Sequence, residues 1–402
     1  MDEELWVADV LYQAGFARSN KVILEDITFS QVHRSVVVAK ESQRQPFSKV
    51  TTLRLKRCQV ELGGGSALET IVRGLFPNVH TLNGSGCASL VNGHSLVTEL
   101  ASVNLPGLKY LYLGDLSLTS HEVGLLGRSR LISQLESLSL AGNELDEESL
   151  RLVVEAIVGS KLERIDLGNT GITSNSVGHV CRILELSNLV SLSVVKNDLR
   201  DVGFAMLART LTGRLEGSRL SNLTSLCLNS IGITESSAPL LVDILESYPQ
   251  LETLSIAGNA LKNSVIQELD KHQAFHHGLK ELFLQSTQLS GDGLMLLMSN
   301  HHHWFPRLVT LDLSKCSEIT LRGLHEALLA RMQFRMPLTD IRLFGVPAMG
   351  SLNGPAVKRE VRRRQRWLIV LVACSRAAIK LPRELMRLIS EASEWSEGLT
   401  RW

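Results

Sequence analysis

One eleven-residue template recurs along the chain and decides what it can fold into. LESLSLAGNEL, starting at Leu135, and LETLSIAGNAL, starting at Leu251, share the pattern LxxLxLxxNxL. The template begins at Val50, Val79, Leu108, Leu135, Leu162, Leu189, Leu223, Leu251, Leu279, Leu308 and Leu338, in steps of 27 to 34 residues. A period of this length signals one supersecondary unit copied many times, so the usual division into globular domains does not apply. A degenerate twelfth unit lies upstream, with Val22, Leu24, Ile27 and Phe29 at template positions four, six, nine and eleven.

The second half of each unit changes period. Leu150, Val153, Val154 and Ile157 in one unit, and Val177, Val180, Cys181 and Leu184 in the next, follow the i, i+3, i+4, i+7 spacing of one apolar helix face. The face opens 15 residues after the template starts, as it does again at Phe204 and Ala238. Each unit therefore reads as strand, turn, helix. Neither half buries its apolar face alone, so units must stack, strands along one edge and helices along the other.

Template and helix together resemble the ribonuclease-inhibitor-like subfamily of leucine-rich repeats, from Val22 to Met349. The resemblance implies an α/β leucine-rich-repeat solenoid, a horseshoe of about 11 to 12 units with parallel strands on a concave wall and helices outside. It also implies non-enzymatic binding of a protein partner on that wall or on its rim loops. Ran GTPase-activating proteins, tropomodulin-like actin regulators and immune-receptor repeat domains share the pattern, so GTPase-activating and cytoskeletal roles stand as alternatives. The only Thr-Gly-Arg, Thr212 to Arg214, lies mid-chain, whereas the resemblance places a finger arginine near the N-terminal end. The residues from Arg214 to Asn222 lengthen one unit and read more simply as a protruding loop.

Template position nine holds Asn143, Asn197 and Asn259, with Thr170 and Thr287 in two units and Cys58, Cys87 and Cys316 in three more. Side chains of these types can bond the turn backbone, which gives a structural ladder. Positions three, five and seven point away from the core, because strand side chains alternate. Mid-chain this wall is small and polar, as at Ser137, Ser139, Ser191 and Ser193. Larger groups sit elsewhere: Arg54, Lys56 and Arg57 form a basic patch, Tyr110 and Tyr112 share one unit, and Arg164 with Asp166 follow. Phe283, Asp312, Arg342 and Phe344 line the C-terminal end. Aromatic and arginine side chains dominate interface hot spots, which makes the tyrosine pair the leading anchor; packing between neighbouring strands is the competing reading. For the basic patch, a solvated surface competes with a phosphate- or acid-binding site.

Forty-two Lys plus Arg against 41 Asp plus Glu leave a net charge of +1, so nothing global draws the chain to nucleic acid or an anionic membrane. Six scattered cysteines without a CxxC pair fit neither a disulfide scaffold nor a cysteine zinc site. His272, His276 and His277, with His301, His302 and His303, lack the glutamate of HExxH and read as helix-end histidines rather than a metal site. No GxSxG, P-loop or other catalytic motif occurs, so neither a cofactor nor a small-molecule substrate is expected. Acids at Asp2, Glu3 and Glu4 argue against a signal peptide, and the longest apolar run, Trp367 to Cys374, is too short to span a bilayer. The expected location is the cytoplasm or the nucleus.

After Met349 the template stops. The expected division is an N-terminal cap with the degenerate repeat over 1–49, repeats over 50–349, and a linker with a basic, apolar helical cap over 350–402. Lys358 to Arg366 is strongly cationic and Trp367 to Cys374 apolar. A helix covering the open solenoid end, a nuclear-localisation or phosphate-contacting patch, and a membrane-surface helix compete here; the need to cap an open end favours the first. Leu371 to Ile379 is similar to an elongin-binding box and Leu381 to Ile389 to the opening of an F-box, which would make the chain a substrate receptor of a cullin-type ubiquitin ligase.

Overall fold

A computed structural model of the chain describes residues 20–25, 47–56, 67–87, 95–213, 222–272, 275–320, 323–324, 327 and 340–346. Ile27, Phe29, Arg57, Cys58, residues 214–221 and everything from 347 onward, with the basic run and both adaptor-like boxes, lie outside the described residues. The chain divides into two units, Met1–Leu254 and Ser255–Trp402.

In the first unit the described elements are β1 (Lys21–Glu25), β2 (Thr52–Lys56), α1 (Ala67–Leu75), β3 (Thr81–Asn83), α2 (Leu96–Ser102), β4 (Tyr110–Tyr112), α3 (Ser120–Arg128), α4 (Arg130–Gln134), β5 (Ser137–Ser139), α5 (Glu147–Ile157), β6 (Arg164–Asp166), α6 (Val177–Leu186), β7 (Ser191–Ser193), α7 (Arg200–Thr212), β8 (Ser225–Cys227) and α8 (Ala238–Ser247). β9 (Thr253–Ser255) falls at the boundary, and α9 (Ser264–His272), β10 (Glu281–Phe283), α10 (Gly291–Trp304), β11 (Thr310–Asp312) and β12 (Asp340–Arg342) belong to the second unit. This is a leucine-rich-repeat solenoid of strand and helix. β1 to β8 pair in sequence order, all parallel, and so do β10, β11 and β12. β1 carries Val22 and Leu24 into the core beside Leu53 and Leu55 of β2, so the upstream unit contributes a strand in template register.

Register is exact in template terms. Leu53, Leu82, Leu111, Leu138, Ile165, Leu192 and Leu226, all at position four, are buried side by side under the sheet. Positions three and five consequently share the opposite, strand face. One unit departs from the pattern: Gly84 occupies position six, and Leu96 from α2 fills the space its missing side chain leaves, 2.2 Å from where a Cβ would stand.

Two ladders fix each turn. At position nine, Asn143 is fully buried; its Oδ1 accepts from the N–H groups of Leu116 (2.9 Å) and Leu118 (3.3 Å), and its Nδ2 donates to the carbonyls of Leu113 (2.8 Å) and Leu140 (2.6 Å). Asn197 does the same for Thr170, Ile172, Leu167 and Val194. One amide thus meets four backbone groups, three of them in the preceding repeat. Shorter side chains do less: Thr170 Oγ1 donates to the Leu167 carbonyl, and Cys316 Sγ to that of Leu284 at 3.2 Å. Cys87 is buried as well. At position eight every described residue is left-handed: Gly86, Asp115, Gly142, Asn169, Lys196, Ser230, Gly258, Ser286, Lys315 and Gly345 have φ between +53° and +75°.

Candidate functional site: the strand face

Short strands hold the wall residues at template spacing. Across β2 to β8, position five gives the row Arg54, Asn83, Tyr112, Ser139, Asp166, Ser193 and Cys227; position three gives Thr52, Thr81, Tyr110, Ser137, Arg164, Ser191 and Ser225. Tyr110 and Tyr112 are half-buried, the remaining side chains beside them being small. Tyr110 is held on two sides. Its hydroxyl donates to Glu136 Oε2 at 3.2 Å, and the His80 ring meets it edge-on with centroids 5.9 Å apart. Glu136 also pairs with Lys109 at 2.7 Å. The Lys109 ammonium, with the Tyr110 hydroxyl, holds the Glu136 carboxyl below the usual carboxylate range.

The other predicted residues differ in what occupies them. Arg164 is exposed and approaches Glu163 at 3.5 Å. Asp166 already accepts from Ser139 Oγ (3.1 Å) and from the Gly168 N–H (3.0 Å), which ties its carboxylate to the turn. Arg54 and Lys56 are half-buried on β2. Cys227 is no poised nucleophile, because burial pushes its thiol up, as it does that of Cys181.

In the second unit, Arg342 lies over the Phe283 ring, 5.9 Å from its centroid, and pairs with Asp340 at 2.8 Å. Beside it, the buried Asp312 accepts from Gln285 Nε2 (2.7 Å) and the Ser314 N–H (2.9 Å). Phe344 is 61% exposed. His276 is buried, its Nδ1 accepting from the Leu279 N–H at 3.0 Å, and His272 faces Glu268 at 3.2 Å. No group of three or more potential metal ligands forms among the described residues, and none of their helices is long and apolar enough to cross a membrane.

Sequence reasoning missed Glu136 and His80 as the supports of Tyr110. The signal was present in the register: template position two brings His80, Lys109, Glu136 and Glu163 onto successive strand edges, so opposite charges one repeat apart must meet.

No protein-family model matches the chain. Ribonuclease inhibitor of Sus scrofa is 27% identical over 250 residues, covering 60% of this chain and 52% of its own. NACHT, LRR and PYD domains-containing protein 5 of Homo sapiens is 31% identical over 182 residues, 43% of this chain and 15% of that protein. The chain thus spans about half, or less, of the length of these relatives. A chain of the yeast Rad7 and Elc1 complex superposes with a TM-score of 0.53 over 88% of this chain and 87% of its own, at 16% identity, a likeness of fold. Repeat register, turn ladders and relatives agree: this chain is built of leucine-rich repeats and is similar to ribonuclease inhibitor.

Proposed function

We infer that the chain is a non-enzymatic protein-binding module that docks its partner on the strand face. The observation that carries this is the tyrosine pair. Two large amphipathic rings stand on one three-residue strand, next to the small residues Ser137 and Ser139, and Tyr110 is preset by Glu136 and His80. Rings fixed in this way lose little rotamer freedom on binding, and their neighbours leave room for a partner. One relative is by its name an inhibitor, a role exercised through binding. The test is affinity capture from native extract with the intact chain and with Tyr110→Ala/Tyr112→Ala. Loss of a partner from the variant, with an unchanged thermal midpoint, is the expected result; identical partner sets overturn the tyrosine anchor.

A second reading, substrate receptor of a cullin-type ubiquitin ligase, is favoured by the box-like segments Leu371 to Ile379 and Leu381 to Ile389. The yeast neighbour comes from a complex of Rad7 with Elc1. A chain ending at Leu352 should then lose elongin or cullin components while keeping tyrosine-dependent partners; recovery of neither component by the full chain removes this reading.

A further inference from the structure

The strand face leaves one polar group unserved. Register places Ile23, Arg54, Asn83 and Tyr112 in a single row across β1 to β4, neighbouring strands lying about 4.8 Å apart. Arg54 is half-buried, yet its Nε is shut off from solvent and has no hydrogen-bond partner. Nothing in the row serves it: Ile23 is apolar, and Asn83 Oδ1 turns to the Ser85 N–H at 3.0 Å instead. A buried donor on a charged group without an acceptor costs free energy that an incoming acceptor returns.

The surroundings say which acceptor. By sequence and register, positions three, five and seven of the β1 to β4 units hold three cations, Lys21, Arg54 and Lys56, and one acid, Glu25, in a chain that is nearly neutral overall. We propose that this part of the strand face binds an acidic peptide segment, one carboxylate taking the Nε edge of Arg54 and the adjoining residue lying against Tyr112. A planar carboxylate accepts two parallel N–H bonds from that edge, which Arg54 presents by rotating Nε out of the wall. Tyr112, two strands along, supplies a ring face and a hydroxyl. A nucleic-acid strand is disfavoured, since tight phosphate tracking draws on roughly 6 to 10 cationic contacts and this face offers few. The proposal rests on the strand face being the docking surface.

The test uses the full chain and fluorescence anisotropy with three labelled probes: a peptide of alternating glutamate and alanine, its lysine counterpart, and a single-stranded oligonucleotide. The glutamate peptide alone is expected to bind, more weakly as salt rises. Arg54→Gln should weaken it about tenfold, Arg54→Lys should restore part of the loss, and Arg182→Gln, on helix α6 rather than on the strand face, should leave it within about twofold. The thermal midpoint of Arg54→Gln should not fall, since a buried donor without an acceptor is removed; if it does fall, Arg54→Lys against the intact chain is the comparison that decides. Equal binding of the lysine peptide, tighter binding of the oligonucleotide, or indifference to Arg54 overturns the proposal. Tyrosine-dependent capture combined with indifference to Arg54 refutes only the acidic partner. Arg54-dependent peptide binding combined with tyrosine-independent capture refutes only the tyrosine anchor.

Discussion

Asn197 and Asn143 each satisfy four backbone groups with one side-chain amide, and no other residue type has two donors and two acceptor sites at that reach. Asn197→Ala strands all four in a dry turn and should cost about 3 kcal/mol in urea unfolding, allowing for partial relaxation. Asn197→Asp keeps the acceptor and loses the donors, so an intermediate loss is expected. At position eight the sign reverses. Lys196 holds a left-handed φ of 57° against the clash of its own Cβ, and Lys196→Gly should raise stability by about 0.5 to 1 kcal/mol in the same assay. The asparagines were legible from sequence because the template repeats their type. The left-handed row was not, because Gly, Asp, Asn, Ser and Lys all tolerate that backbone and no single letter marks it. Asp166 shows a different limit: the alternation of strand side chains puts it on the open face, but in the folded chain Ser139 and Gly168 already hold it, a contact that alternation does not encode.

Strand and helix starts follow from period and capping together. Thr119 and Glu122 form a reciprocal box at the head of α3, the Glu122 N–H donating to Thr119 Oγ1 and the Thr119 N–H to Glu122 Oε2. Thr119→Ala should cost about 1 kcal/mol, read as a lower thermal midpoint. Burial opposes ionisation of Glu122, but hydrogen bonds from Ser95 and Thr119 outweigh it and hold the carboxyl below its usual range. A depressed pKa means that Glu122 stabilises above the ordinary glutamate range and stops doing so as pH falls through its folded value. The midpoint gap between the intact chain and Glu122→Gln should accordingly be present at neutral pH and close in acid; a gap that widens in acid contradicts the sign. Gly84 illustrates what periodicity cannot see. A glycine at a leucine position looks like a defect, whereas α2 sends Leu96 into the gap, so Gly84→Val should destabilise by about 2 kcal/mol through overpacking. The break between α3 and α4 at Ser129 was equally invisible, since the apolar spacing runs through both.

For the molecule as a stack, stability is a sum of unit and nearest-neighbour terms, so whole units are exchangeable where fractions of units are not. Deleting residues 162–188 joins Lys161 to Leu189 with the template in phase and places Asn197 where Thr170 stood. This variant should keep its far-UV circular dichroism per residue and unfold cooperatively at lower urea, while deletion of 162–181 should lose the transition. The repeat count and the open face were readable from one sequence because every unit restates them. The tail beyond residue 346 restates nothing, and its competing readings rest on short segments with no second copy for comparison. The asparagine ladder also has a direction. Asn143 reaches back 30 residues to the Leu113 carbonyl, and Asn197 reaches back 30 to that of Leu167. During synthesis the turns that Asn143 and Asn197 complete therefore wait for the next repeat to leave the ribosome, and until it does the growing chain carries an unfinished turn at its newest end.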